Sequence, residues 1–439
     1  MVKYFYIFIL LSLSTVAGEK PNVVFILSDD QAWGDYGFMG STAVKTPHLD
    51  KLANESLVFK RGYVTSPLCR PSLASMVTGL YVHKHGVTGN DVDGMNNRAR
   101  LDIPVQKYFH KQNSFIKKLV SEGYLAHQSG KWWEGSWQDG GFTHGMTHGD
   151  PGKGGRHGDA GLKIGRENLK PVTDFIDHAV SKDKPFLLWY APFLPHTPHN
   201  PPERILKKYN KLNLKPDVAK YYAMIEWFDE TCGELLGHIK KNGLEKNTLV
   251  IYICDNGWKA KSQSTIPIPE NWSFKYAPMS KGSPFENGIR TPIMFKFPGK
   301  IKPQFSDDLA SAVDLYPTIL KACEINSEAE VDGINLLDET QRRERESIYG
   351  ASYSIHNMVV GKPSETRQYH WVISGKWKYL VRDNGVDTTR YKFVHLWDKT
   401  QERLFDLQQD PEEKNNLVKD HPDVLSDLKK NLSNWSGSQ

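Results

Sequence analysis

The chain has 439 residues, 39% of them apolar and 24% charged, enough material for one large core and a smaller one. Its 56 basic and 51 acidic residues leave a formal charge of +5, too weak a bias for a nucleic-acid binder. Four cysteines, Cys69, Cys232, Cys254 and Cys323, are too few for a disulfide scaffold of this size.

In chain order, residues 1–18 read as an export leader. Lys3 gives the charged start, Tyr4 to Leu13 the apolar run, and Thr15-Val16-Ala17 the small residues for cleavage. The run is too short to span a bilayer, and no other stretch reaches that length. The expectation is a secreted or periplasmic protein without a membrane span. Val23 to Leu27 is a continuous apolar run ending at Ser28-Asp29-Asp30, and Pro47 to Glu55 has helical spacing. Continuous rather than alternating hydrophobicity predicts a strand buried on both faces. Asp29 and Asp30 then lie at a strand end. Adjacent carboxylates there either cap a turn or await a hard cation.

Cys69 precedes a short helical pattern in which Leu73, Met76, Val77 and Leu80 recur and Gly79 supplies the stop. Pro71 suits the first turn. A cysteine at a helix start sits where backbone N–H groups favour developing negative charge. Helical spacing returns over Ser114–Glu122, followed by Lys131 between glycines in Ser129-Gly130-Lys131-Trp132-Trp133-Glu134-Gly135. Gly140 to Gly165 is a Gly- and His-rich ordered loop holding His144, His148 and His157. A helix over Pro171–Val180 leads to a buried strand, Phe186–Tyr190, and then to the Pro-rich loop carrying His196 and His199. A helix over Tyr221–Lys240 precedes the strand Thr248–Ile253, which ends at Cys254-Asp255-Asn256-Gly257. Lys281 lies ahead of the strand Pro292–Phe297, and Ala310–Cys323 reads as a helix.

Near residue 340 the character changes. Short aromatic-rich runs, Tyr369–Ile373, Trp377–Val381, Tyr391–Trp397 and Glu402–Leu407, predict a small antiparallel sheet, and Pro422–Trp435 a closing helix. The expected domains are therefore 19–340, an α/β unit with a mainly parallel sheet between helices, and 341–439, a sheet-and-helix subdomain. In such folds ligands gather at the carboxyl ends of the strands, which would bring Asp29, Asp30, Asp255 and Asn256 together.

Cys69-Arg70-Pro71-Ser72 followed by Thr78-Gly79 resembles the signature of the sulfatases. The other motifs fall in that family's order, and LFDLQQDPEEKNNLV resembles its ending. The resemblance implies an alkaline-phosphatase-like α/β sandwich. It implies that Cys69 becomes formylglycine (3-oxoalanine) through a formylglycine-generating enzyme, and that the hydrate attacks a sulfate ester. It also implies one divalent ion, calcium, held by Asp29, Asp30, Asp255, Asn256 and the modified Cys69. Lys131 and Lys281 would bind sulfate oxygens, and His196 would protonate the leaving alcohol. Glu286 and Arg290 would form a structural ion pair.

Two positions depart from the family: Leu73 stands where it has arginine, and Trp133 where it has histidine. Tryptophan cannot accept a proton. His85 or His148 is a candidate replacement base; both could instead bind substrate hydroxyls or face solvent. Arg70 could supply charge near Cys69, from a different direction than residue 73. Trp132, Trp133 and Trp137 would suit a sugar, and export makes a sulfated carbohydrate, a polysaccharide or other glycan, the leading substrate. A phosphodiesterase or phosphonate hydrolase on the same scaffold, and a non-catalytic glycan-binding relative, are the rival readings.

Overall fold

The computed structural model describes residues 20–92, 98–149, 159–258, 280–354, 358–383 and 400–436. The leader, His157 and the run 391–397 lie outside them. Strands β1 (Asn22–Ser28), β2 (Leu57–Tyr63), β3 (Leu125–Gly130), β4 (His144–Gly145), β5 (Phe186–Ala191), β6 (Thr248–Cys254), β7 (Arg290–Lys296) and β8 (Gln304–Ser311) form one sheet. Its order is β4-β3-β5-β1-β6-β7-β2-β8. Every neighbouring pair is parallel except those made by β7, which runs against both β6 and β2. The mixed, mainly parallel α/β sheet expected from the apolar runs is present.

Among the described residues, the helices of seven residues or more are α1 (Pro47–Asn54), α2 (Cys69–Thr78), α3 (Arg98–Phe109), α4 (Phe115–Ser121), α5 (Lys170–Ser181), α6 (Glu203–Tyr209), α7 (Pro216–Lys241), α8 (Leu315–Ala322) and α9 (Pro422–Ser436). They cover both faces of the sheet. Val23, Phe25 and Leu27 of β1 join the core under α2, while Val24 and Ile26 join the core under α5 and α7. A strand buried on both faces has no polar side to expose, which is why its sequence runs apolar without alternation. Each such large side chain contributes roughly 1.5–3 kcal/mol by leaving water. Among the described residues no helix is long and apolar enough to cross a membrane.

The helix expected over Ala310–Cys323 starts later. Phe305 to Ser311 pair with β2, and the capping box of Ser311 and Asp314 then opens a short turn before α8. The apolar spacing there belongs to a strand end followed by a helix. All four cysteines are buried and free.

Strands β9 (Ser347–Tyr353), β10 (Arg367–Ser374), β11 (Trp377–Arg382) and β12 (Glu402–Asp406) make the second, antiparallel sheet, in the order β12-β11-β10-β9. One face holds α9 through Val372, Tyr379, Leu404, Leu428 and Leu432. The other merges with the main core through Ile348, Trp371, Ile373 and Phe405. The Ala351 amide also donates to the Thr65 carbonyl at 3.0 Å.

Candidate active site

With β7 reversed, the carboxyl ends of β1, β2, β3, β5 and β6 meet the entrance of β7 at one edge of the sheet. Asp29 and Asp30 follow β1, Cys69 begins α2 after β2, Lys131 follows β3, His196 lies in the loop after β5, Asp255 and Asn256 follow β6, and Lys281 precedes β7. Two glycines permit the close approach. A Cβ on Gly130 would stand 1.9 Å from the Ala191 carbonyl, and one on Gly257 would stand 1.7 Å from the Asn287 carbonyl. Asp30 takes the left-handed conformation at φ 64°, a strained state for a non-glycine residue, and its amide donates to Asp255 Oδ1 at 3.0 Å.

The side chains converge. One ligand atom from each of Asp29, Asp30, Cys69 and Asp255 lies within 4.8 Å of the others, and all four residues are buried. Lys131 Nζ donates to Asp29 and, at 2.8 Å, to Asp255. Lys281 Nζ donates to Asp30 and lies 3.1 Å from Cys69 Sγ. Asn256 Nδ2 donates to Asp30 Oδ1 at 2.7 Å, and His196 Nε2 stands 3.4 Å from Asp30 Oδ2. The His196 Nδ1–H donates to the Thr197 carbonyl at 2.6 Å, which leaves Nε2 as the ring atom facing the cluster.

Electrostatics follow from crowding in a dry site. Burial, only partly offset by Lys131, pushes Asp29 up, with Asp30 adding to the rise. The same causes raise Asp255 to about 6. Burial also acts upward on Asp30, but Lys281, His196 and Lys131 outweigh it and hold that carboxyl well below the usual range. Burial works against the charge on both lysines; Asp255 and Asp29 for Lys131, and Asp30 for Lys281, reverse it and keep them protonated. Burial pushes the Cys69 thiol to about 12 against both lysines, so the residue is a neutral thiol near neutral pH. Burial lowers His196 to about 3 despite Asp30.

The cluster fits a hard cation. Asp29 Oδ2 and Asn256 Oδ1 are buried acceptors without a hydrogen-bond donor among the described residues. An oxygen-only set suits calcium or magnesium, and three carboxylates in one place need positive charge beyond two lysines. A neutral thiol is a poor partner for such an ion; an oxygen at position 69 would complete the set.

The remaining site expectations fare differently. Arg70 is fully buried and bidentate on Glu134, Nε to Oε1 at 2.7 Å and Nη2 to Oε2 at 2.9 Å, so its charge is paired with that acid. Its amide and Nη1 are held by Asn90. His85 is buried against Ser75, with Nε2 2.9 Å from Oγ and Nδ1 accepting the Val87 amide at 3.1 Å. Burial lowers it to about 3, and with both nitrogens engaged it offers neither a base nor a substrate contact. Trp133 and Leu73 belong to the same large buried apolar cluster as Cys69. His148 is exposed, its amide held by Asp159 at 3.0 Å. His199 packs against the Tyr221 ring at 5.6 Å between centroids. Glu286 and Arg290 do form an ion pair, at 3.5 Å. Glu134 and Asn90 were not singled out in sequence; Glu134 stands three residues after Lys131, and the only signal was an acid inside that motif.

The sulfatase family model matches residues 21–325, and the C-terminal model of N-sulphoglucosamine sulphohydrolase matches 278–437. The chain is 23% identical over 496 residues to an N-acetylgalactosamine-6-O-sulfatase of Bacteroides thetaiotaomicron, covering 93% of this chain and 92% of that protein. It is 26% identical over 483 residues to arylsulfatase A of Homo sapiens, covering 95% and 88%. Among solved structures, Ps i-CgsB superposes with a TM-score of 0.72 at 25% identity, covering 95% of this chain and 93% of that one. The chain belongs to the sulfatase family of the alkaline-phosphatase-like superfamily and is a sulfuric ester hydrolase.

Proposed function

We propose that the protein is exported and removes sulfate from a sulfated glycan, with Cys69 oxidised to formylglycine and one calcium ion at Asp29, Asp30, Asp255 and Asn256. The observation that carries this reading is the convergence of three carboxylates and two lysines on the Cys69 sulfur at a helix start. The N-acetylgalactosamine-6-sulfatases among its relatives support a sugar sulfate as substrate. When present, formylglycine would supply a hydroxyl nucleophile and the cation would neutralise charge on it.

The chain's own residues do the rest. Lys281, beside position 69, and Lys131, between Asp29 and Asp255, place fixed positive charge where sulfate oxygens must sit. Each such preorganised donor is worth about 3 kcal/mol in the transition state of a water-excluded site. His196 presents Nε2 with its other nitrogen already bonded, so one atom handles the proton of the leaving alcohol. An arriving anionic ester raises the proton affinity of that imidazole from its low resting value.

Mass measurement on the tryptic peptide of residues 62–84 tests this. Protein made with a formylglycine-generating enzyme should show a loss of about 18 Da at Cys69, as –SH is replaced by an aldehyde. An unchanged thiol would overturn the formylglycine reading of Cys69. Parallel assays with sulfate and phosphate esters separate the phosphodiesterase alternative.

A further inference from the structure

Arg166 lies outside the charged cluster, yet all of its guanidinium N–H groups go to one loop. Nε donates to the Phe193 carbonyl at 3.1 Å. Nη2 donates to that same carbonyl at 2.6 Å and to the His196 carbonyl at 2.9 Å. Nη1 donates to the Pro198 carbonyl at 3.3 Å and to the Asn200 side-chain oxygen. These bonds exhaust the five donors of an arginine, so none remains for an anion. Gly165, in the left-handed conformation at φ 74° and packed on Tyr190, turns the chain that presents Arg166.

The loop so gripped contains His196. The guanidinium lies over the Phe193 ring, 5.7 Å from its centroid, and the Phe193 ring packs against the His196 imidazole at 4.0 Å between centroids, tilted by 31°. Backbone and ring plane of His196 are thus both fixed by residues that Arg166 touches. The Leu194 carbonyl of the same loop accepts the Asp29 amide at 3.0 Å, which ties the loop to the carboxylate end of the pocket.

We infer that Arg166 is a positioning residue, the clamp that aims His196 Nε2 at the reacting centre. This rests on His196 being the proton donor to the leaving group. Lysine cannot replace the clamp, because a single ammonium cannot span carbonyls that a planar fork reaches from three nitrogens.

The test compares Arg166→Met, Arg166→Lys and His196→Gln in converted, calcium-loaded protein on two esters. Nitrophenyl sulfate has a leaving group that needs little protonation, whereas a sugar 6-sulfate needs it. Arg166→Met should lower kcat/KM on the sugar ester by about 10²-fold or more and on the aryl ester by less than about threefold, with Arg166→Lys no better. His196→Gln should discriminate in the same sense. If His196→Gln slows both esters alike, the reading of His196 fails. If it discriminates while Arg166→Met does not, the inference about Arg166 fails alone. A second readout needs no turnover. In ¹⁵N-histidine spectra, the signal absent from His196→Gln should report the Nδ1–H tautomer in the parent protein and a mixture in Arg166→Met. An unchanged tautomer in Arg166→Met would also overturn the inference.

Discussion

The pocket at the sheet edge and the seam beneath the small sheet both bury acids beside lysines. In the seam, Lys378 lies 2.7 Å from Glu413 and 3.7 Å from Glu286, while Arg290 lies 3.5 Å from Glu286 and Tyr63 donates to it at 3.0 Å. The Glu286 amide donates to Glu413. Two acids there meet two bases. In the pocket, three carboxylates meet two lysines. The contrast separates an ionic joint whose acids and bases are equal in number from a site with one acid in excess. A buried charge group that balances itself holds elements together; one left in deficit is arranged for a partner.

The largest effect should come from Lys281→Met. It removes charge beside position 69 and should lower kcat/KM by about 10²–10³, read in steady-state assays on converted protein. Turnover within tenfold of the parent would erase the functional half of the contrast. Lys378→Met should instead cost about 3–5 kcal/mol in urea unfolding, since it leaves two buried glutamates facing each other, with activity per folded molecule unchanged. Calcium sharpens the comparison. At a concentration 100 times its dissociation constant it should add about 2.7 kcal/mol of stability to the parent and to Lys378→Met alike, and nothing to Asp255→Asn. An equal calcium response in Asp255→Asn would show that the ion binds elsewhere.

The smallest effect is a pH slope in the seam. Burial, with Glu286 adding and Lys378 opposing, raises Glu413 from 4.5 to about 7. The folded state therefore favours its protonated form. That contribution is complete below about pH 4.5 and is lost as pH rises through about 7. Between pH 5 and 8, Glu413→Gln should lose less stability than the parent, by on the order of 1 kcal/mol in thermal melts. A parallel slope would mean that Glu413 is ionised throughout.

The strands that were legible were those whose burial on both faces leaves an unbroken apolar run, β1, β5, β6 and β7. β3, LAHQSG, and β8, QFSDDLAS, carry polar residues that only their neighbours explain, and neither stood out. In β3, Ser129 donates to the Trp189 carbonyl and Gln128 to the Gly130 carbonyl. The pocket was legible for a related reason. Carboxylates at the ends of apolar runs have one place to go in a parallel sheet, and the resemblance to the family's motifs placed the lysines and His196. What escaped was pairing across distance. Nothing near Arg70 in the sequence indicates that Glu134 neutralises it, and nothing near His196 points to Arg166. His85 looked available because its partners, Ser75 and the Val87 amide, are ordinary local groups.

The bond from the Glu286 amide to Glu413 has a consequence for how the molecule comes into being. The segment that carries Lys281 runs directly into Glu286, so one wall of the pocket leans on a side chain near the end of the chain. Translation delivers Asp29, Cys69, Lys131, His196, Asp255 and Lys281 well before it delivers that strut. A polypeptide stopped at residue 325, where the sulfatase match ends, would own each reactive group and still lack the brace beneath one of them. The last quarter of this chain is therefore part of the pocket's foundation, although none of its described residues joins the charged cluster.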